Sequence, residues 1–344
     1  MRYRLLLWPH ANARYQQETR KLAQAELELM LARHVPGARC AVDEGADMPC
    51  LTIDAPGPLD AGTVEAVRCH SLLYGLFEAR DDGSLVPVAG RAATRLGPDL
   101  PAILKYKGKT NELFLEMLIN AALYAGDYWD ADGPLELLDP MCGRATAPFI
   151  ALNRGWNAVG ADVDRADLKE AERFFRRYLE YHRFKHTLTR ESRTLEKGRA
   201  APLCRFEYAP DARAFRKGEA RTLSLVNLDA TLAAEALGKD AFHIIACDLP
   251  YGVRHDAQLS RGADRRGNWL ETLLAKALPD WRAALKPGGT VAVSFNAQNF
   301  SLVRVRDLMA RNGFEVMQGG AYDEFAHWVE QAITRDIAVC RKPA

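Results

Sequence analysis

The chain has 344 residues, with 46 Lys and Arg against 45 Asp and Glu, a formal net charge of +1 and 48% hydrophobic residues. This length predicts about two domains, the apolar content suits a soluble globular protein with a sizeable core, and the near-neutral balance excludes a polycation. The opening "MRYRLLLWPH" is too short an apolar run for a signal peptide and no stretch is long enough to span a membrane, while seven scattered cysteines without a C-x-x-C pair read as reduced thiols of a cytoplasmic protein, not as disulfides or zinc ligands.

Residues 1–95 read as a small α+β N-terminal domain. "YRLLLW" and "CLTID" are strand-like, and "ARYQQETRKLAQAELELMLARH" has the apolar spacing of a long amphipathic helix. "SLLYGLFEARDDGSLVPV" predicts a hairpin turning at Asp81-Asp82-Gly83. "RAATRLGPDLP", with two prolines and a glycine, predicts a linker. Residues 101–344 form the second predicted domain. Its strand candidates are "LELLD" (135–139), "NAVGAD" (157–162), "TLSLVN" (222–227), "FHIIACD" (242–248) and "GTVAVSF" (289–295), separated by helix-like segments. Short apolar strands alternating with helices imply a parallel sheet covered on both faces. "FEVMQ" and "AITRDIAVC" have no helix-length spacer and predict an antiparallel addition at the sheet edge. From Arg165 to Arg199 there are eleven Lys and Arg against six Asp and Glu. That stretch reads as a solvated helix with opposite charges at helical spacing, ahead of a track for a polyanion.

In open α/β sheets ligands bind beyond the carboxyl ends of the strands. "LLDPMCGRATAPFIAL" gives a strand ending in Asp139, a tight turn at Gly143, then a helix. Asp162 ends the next strand nineteen residues after Gly143, where a carboxylate can accept from both hydroxyls of a ribose. Asp229, in "VNLDAT", can accept from an adenine amino group. Together they point to an adenosine-containing cofactor. The G-x-G-x-x-G run needed against a pyrophosphate and the G-x-x-x-x-G-K-[ST] loop are both absent, so a cofactor without phosphates, S-adenosyl-L-methionine, fits better than NAD. Asp139, Pro140, Cys142, Gly143, Asp162, Asp229 and Ala230 are the candidate cofactor residues.

"FHIIACDLPYG" places an acid, a proline and an aromatic ring at the end of the fourth strand. An exocyclic amine on a base is a poor nucleophile because its lone pair is delocalised into the ring. Two acceptors gripping its hydrogens favour a pyramidal nitrogen: the Asp248 carboxylate and the Leu249 carbonyl. Pro250 restricts Leu249 to extended geometry and so aims that carbonyl, and Tyr251 offers a face for a flipped-out base. Asp248, Leu249, Pro250 and Tyr251 are the candidate catalytic residues; no metal is expected.

"DPMCGRAT" and "DLPYG" together resemble the class I S-adenosylmethionine-dependent RNA methyltransferases related to the THUMP-associated guanosine-N2 enzymes, which carry D-P-x-C-G-S-G-T and D-[LP]-P-[FY]-G. "KYKGKTN" (105–111) is similar to the upstream segment with which that family closes over the cofactor. The resemblance covers roughly residues 101–344. It implies a Rossmann-like seven-stranded methyltransferase sheet with the last strand antiparallel, and residues 1–95 look like only the ferredoxin-like part of the family's RNA-binding arm. It implies methylation of a nucleobase amino group in RNA, first guanosine N2 in tRNA, hence a role in tRNA processing. The same chemistry on rRNA, DNA or a protein glutamine, or a catalytically silent cofactor- or RNA-binding relative, are the alternatives. The oligomeric state is left open. The turn departs from the family pattern, with G-R-A-T standing in place of G-S-G-T. Ala145 is expected at negative φ, and Arg144 to face the cofactor's carboxylate or an RNA phosphate.

The loop "VRHDAQLSRGADRRG" brings Arg254, His255, Arg261, Arg265 and Arg266 to the expected substrate mouth, where phosphate contacts would position RNA. Phe174, Tyr178 and Tyr181 are expected as core contacts from their helical spacing. His182 and His186, spaced i, i+4 with no third ligand, read as surface histidines. Cys142 and Cys247 are expected to pack as small buried residues. His327 and Glu330 carry no assigned role.

Overall fold

The protein is described by a computed structural model over residues 1–9, 13–250 and 268–344. The first sheet is built from β1 (Arg2–Leu7), α1 (Ala13–His34), β2 (Arg39–Val42), β3 (Cys50–Asp54), α2 (Ala61–Arg68), β4 (Leu73–Ala79) and β5 (Leu85–Ala89). Its order is β2-β3-β1-β4-β5, antiparallel throughout. This is the ferredoxin-like βαββαβ order, with β5 added by the expected hairpin at Asp81-Asp82-Gly83. β2 was not legible because Arg39–Val42 is short and half exposed.

The second sheet follows α3 (Leu100–Ile103) and α4 (Glu112–Ala125). It comprises β6 (Glu136–Asp139), α5 (Thr146–Asn153), β7 (Asn157–Asp162), α6 (Arg165–Tyr181), β8 (Lys185–Thr194), β9 (Ala200–Ala209), α7 (Ala212–Arg216) and β10 (Arg221–Asn227). It continues with α8 (Ala233–Leu237), β11 (Phe242–Asp248), α9 (Asn268–Ala284), β12 (Leu285–Asn296), α10 (Leu302–Arg311), β13 (Glu315–Val316), β14 (His327–Glu330) and β15 (Ile333–Arg341). The strand order is β13-β15-β12-β11-β6-β7-β10-β9-β8, with β14 paired to β15. β10, β7, β6, β11 and β12 run parallel, and β15 is antiparallel to both β12 and β13. The seven expected strands are therefore present with the last one reversed, and three more, β8, β9 and β14, extend the sheet. The strand order reverses between β6 and β11, which opens a crevice at their carboxyl ends.

The basic stretch differs from its expectation as one solvated helix. The helix stops at Tyr181, Arg183 takes φ 59°, and the backbone returns as β8. β8 pairs along its full length with β9, whose Leu203, Phe206 and Tyr208 are buried. The alternation in "CRFEYA" drives this hairpin, because it turns Phe206 and Tyr208 on one face of β9 against Phe175 of α6.

Residues 91–101 are not a free linker. Arg91 bonds the Ser71 carbonyl at 2.6 Å and the Glu116 carboxylate at 2.5 Å, and the Arg95 N–H donates to the Asn153 carbonyl at 2.9 Å. Helix α1 lies between the two sheets, touching β2 and β3 on one side and α4 and β14 on the other. It is consequently buried around much of its circumference, from Leu22 through Leu31. At its centre Glu26 is fully buried. Its carboxylate accepts from the Ser71 N–H at 2.9 Å, the Ser71 hydroxyl and the Asn120 amide of α4. A buried carboxylate is tolerable only when so satisfied. This network fixes α4, and with it the segment before α4, against the first sheet. Among the described residues no helix is long and apolar enough to cross a membrane.

Candidate cofactor and substrate site

The first three acids lie at neighbouring strand ends. Asp139 on β6 pairs with Gly160 of β7, and Asp162 on β7 pairs with Asn227 of β10. Asp139 is 5% exposed, Asp162 is half-buried, and Asp229, two residues past β10, is exposed. Burial raises the Asp139 carboxyl well above the usual carboxylate range; the Met141 N–H opposes this, and the charges of Asp162 and Asp248 add to it. Burial also raises Asp162, against hydrogen bonds from the Asp164 and Gly143 N–H groups. Among the described residues no Lys or Arg side chain forms an ion pair with Asp139 or Asp162.

The turn after β6 is tied to these acids. The Gly143 N–H donates to Asp162 Oδ2 at 2.7 Å, and the Cys142 N–H to the Ala161 carbonyl at 2.9 Å. Gly160 is required where β7 passes this turn, because a Cβ there would stand 2.8 Å from Cys142 Sγ. Cys142 and Cys247 are both buried, with burial holding each thiol well above its ordinary pKa. They pack as the small core residues expected. Pro140 is buried too, and Ala230 gives its carbonyl to the buried Trp281 indole N–H at 2.8 Å. Asp229 accepts from the Thr231 N–H at 2.9 Å and caps the short turn that follows.

One expectation for G-R-A-T is corrected. Ala145 sits at φ 67°, ψ 33°, in the left-handed region, not at negative φ. The turn demands that backbone whatever residue fills it, since Ala145 leads directly into α5, and its N–H donates to the Cys142 carbonyl at 2.8 Å. Alanine has the smallest side chain that can be strained into it. Arg144 pairs with Asp167 of α6 at 2.8 Å, and its guanidinium lies 4.7 Å from the Tyr106 ring centroid. Tyr106 belongs to "KYKGKTN". Burial raises its hydroxyl's pKa, and hydrogen bonds from Thr146 and the Arg144 backbone oppose the rise.

At the fourth strand, Asp248 ends β11, which pairs with β6 on one side and β12 on the other. Ser294, its register partner on β12, donates its hydroxyl to Asp248 Oδ1, and Thr110 donates to Oδ2. The Leu249 N–H donates to the Ser294 carbonyl at 2.9 Å. Among the described residues no hydrogen bond ends on the Leu249 carbonyl oxygen. Pro250 is half-buried beside it. Tyr251 and the loop residues Arg254, His255, Arg261, Arg265 and Arg266 lie outside the described residues.

Other candidates separate. Tyr178 is buried and donates to Asp99 at 2.9 Å, while Tyr181 is 83% exposed at the end of α6 and is not a core contact. His182 is exposed and His186 half-buried with its Nδ1 2.9 Å from the Phe184 carbonyl. His327 had no assigned role. It is 2% exposed, its Nδ1 lies 2.9 Å from the Phe325 carbonyl, and its ring is 5.3 Å from Phe114. Its Nε2 has no hydrogen-bond partner among the described residues. Burial is the main cause that lowers its pKa to about 4, with the Asp248 charge pulling the other way. No period or motif singles out His327; it becomes visible only when β14 folds back onto β15.

No family model and no curated protein matches the chain. Solved structures similar to it include TrmN from Thermus thermophilus, at 15% identity, 99% of this chain and 99% of that one, with TM-score 0.44. A TehB-like SAM-dependent methyltransferase from Corynebacterium glutamicum is 17% identical over 65% of this chain and 85% of that one, with TM-score 0.35. Magnesium protoporphyrin IX methyltransferase from Synechocystis PCC 6803 with bound SAM is 14% identical over 69% and 86%, with TM-score 0.37. The protein has an α/β fold, with a mixed parallel and antiparallel sheet and an extra antiparallel sheet at its N-terminus.

Proposed function

We propose that the protein is an S-adenosylmethionine-dependent RNA methyltransferase acting on an exocyclic nucleobase amine, guanosine N2 of tRNA before others. The observation that carries this reading is the Asp248 carboxylate at the carboxyl end of β11, on the other side of the switch point from Asp139, which ends the neighbouring β6. The residues present fit the cofactor. Carboxylates held above their usual range, with no described cation beside Asp139 or Asp162, favour a ligand carrying an ammonium and a sulfonium. Asp162 would hold the ribose hydroxyls, Asp229 the adenine amino group, and Asp139 with Pro140, Cys142 and Gly143 would line the cationic end. Ala230 would border the adenine.

When bound, the cofactor supplies an electrophilic methyl whose S–C bond breaks as the new N–C bond forms, leaving a neutral thioether. The protein's own part is to present the amine. The Asp248 carboxylate and the Leu249 carbonyl accept its two hydrogens, so that the lone pair localises toward the methyl. The proton lost from nitrogen passes to Asp248 and on to water. Positioning of this kind is a large part of the rate in two-reactant chemistry. Tyr251 would stack on the base, the loop arginines and His255 would meet phosphates, and residues 1–95 would act as an RNA-binding domain packed against a catalytic domain of residues 101–344. Cytoplasmic action on tRNA follows from the same reading.

The test is transfer of labelled methyl under single turnover to total RNA from a strain lacking the protein. Asp248→Ala should keep cofactor affinity and slow transfer by at least about a hundredfold, the scale of one preorganised polar contact at a reacting centre. Nucleoside mass spectrometry of that RNA should show one missing methylated nucleoside. Equal rates in wild type and variant would remove Asp248 from the chemistry.

A further inference from the structure

Neither hydroxyl that holds Asp248 comes from the motif containing it. Ser294 is fully buried in β12, and the β11–β12 register sets it opposite Asp248. Thr110 lies 138 residues upstream. It is held on both sides. Lys109 Nζ bonds the Pro101 and Ala102 carbonyls at 2.6 and 3.2 Å, and Asn111 caps α4 by accepting from the Leu113 N–H at 2.8 Å. α4 in turn is fastened to α1 through Asn120 and Glu26. One hydroxyl therefore meets each carboxylate oxygen, from opposite neighbours in the fold.

We propose that Thr110 and Ser294 are positioning residues that orient the Asp248 carboxylate toward the substrate amine; this rests on the amine-gripping reading above. A carboxylate on a single Cβ rotates about its last bond, a broad and weakly two-fold torsion. An aspartate fixed only by its backbone would present its lone pairs over a wide arc. Hydroxyls donating to both oxygens fix the carboxylate plane and take one acceptor site from each oxygen. A carboxylate has about four such sites, so the two hydroxyls alone do not exhaust them. Both donors must be in place before the substrate arrives, which is what preorganisation requires. Thr110 further ties the orientation to the segment whose Tyr106 lies on the cofactor turn, so the amine site and the cofactor turn share one strap.

The test uses the full-length protein, labelled S-adenosylmethionine and total RNA from a strain lacking the protein. Thr110→Val removes the hydroxyl at nearly constant shape, and Ser294→Ala removes the other. Each should slow single-turnover transfer by about tenfold or more, with cofactor affinity and RNA half-saturation within about twofold of wild type. Thr110→Ser should restore the rate. On an Asp248→Ala background, Thr110→Val should cause no further loss, because the threonine acts through the aspartate. Full activity in both Thr110→Val and Ser294→Ala, with Asp248→Ala slow, would overturn the positioning role and leave the amine grip standing. Full activity in Asp248→Ala would overturn the amine grip itself. Thr110→Val slowing the Asp248→Ala variant further, or no rescue by Thr110→Ser, would count against action through Asp248.

Discussion

His327 is a buried base without an ion-pair partner among the described residues, and its removal has a calculable pH signature. Its folded pKa is about 4, and an exposed histidine titrates near 6.5. Above about pH 6.5 both states are neutral and the residue adds no pH dependence. As the pH falls below that, the unfolded state takes up a proton that the folded state refuses until about pH 4, so stability falls with falling pH across that window. Between pH 7.5 and 4.5 the linkage integral gives a loss of about 2.5 kcal/mol from this residue alone, at 1.36 kcal/mol per unit. His327→Asn removes the titration and keeps the interior donor, because the Asn amide occupies the place of Nδ1 and can still donate to the Phe325 carbonyl. Urea denaturation of wild type and variant at the two pH values measures the difference. Other groups that titrate in this range, such as Asp336 with its carboxyl pushed up to about 6, are common to both proteins and cancel. The variant should lose about 2.5 kcal/mol less than wild type on acidification. Equal losses would mean that His327 is not held neutral in the fold.

Asp162→Ala should weaken S-adenosylhomocysteine binding by roughly 1.5–3 kcal/mol, the usual worth of hydrogen bonds to a charged group, read by calorimetric titration; unchanged affinity would take Asp162 out of the cofactor site. At Ala145, glycine relieves the left-handed backbone but gives up a fully buried methyl, two effects of about 1 kcal/mol that oppose each other, so Ala145→Gly should leave thermal stability nearly unchanged. Ala145→Val puts a β-branched side chain at positive φ in a packed turn and should lose more than about 2 kcal/mol. A valine variant as stable as wild type would contradict the φ of 67°.

What the sequence disclosed and what it withheld divide along one physical line. The strands β6, β7 and β11 are short apolar runs whose composition can only be buried, and the acids that end them fall at fixed offsets from those runs. Both signals are local, so Asp139, Asp162 and Asp248 could be placed before any contact was known. The β8–β9 hairpin was hidden because β8 is exposed along nearly all its length and carries no apolar period; only β9 has one. The backbone of Ala145 is not legible from its identity, because the turn into α5 sets its φ and the residue tolerates it. Thr110, Ser294 and His327 were silent for a different reason. Each matters through a partner fixed by tertiary folding. Thr110 reaches Asp248 from before the first strand of its sheet, Ser294 through the β11–β12 register, and His327 through the fold-back of β14. On the proposed reading the motif would supply the reacting carboxylate, and residues with no motif of their own would set its direction. A protein that kept "DLPYG" and lost the hydroxyls at 110 and 294 would therefore still look like an enzyme in its sequence, while presenting its aspartate unaimed.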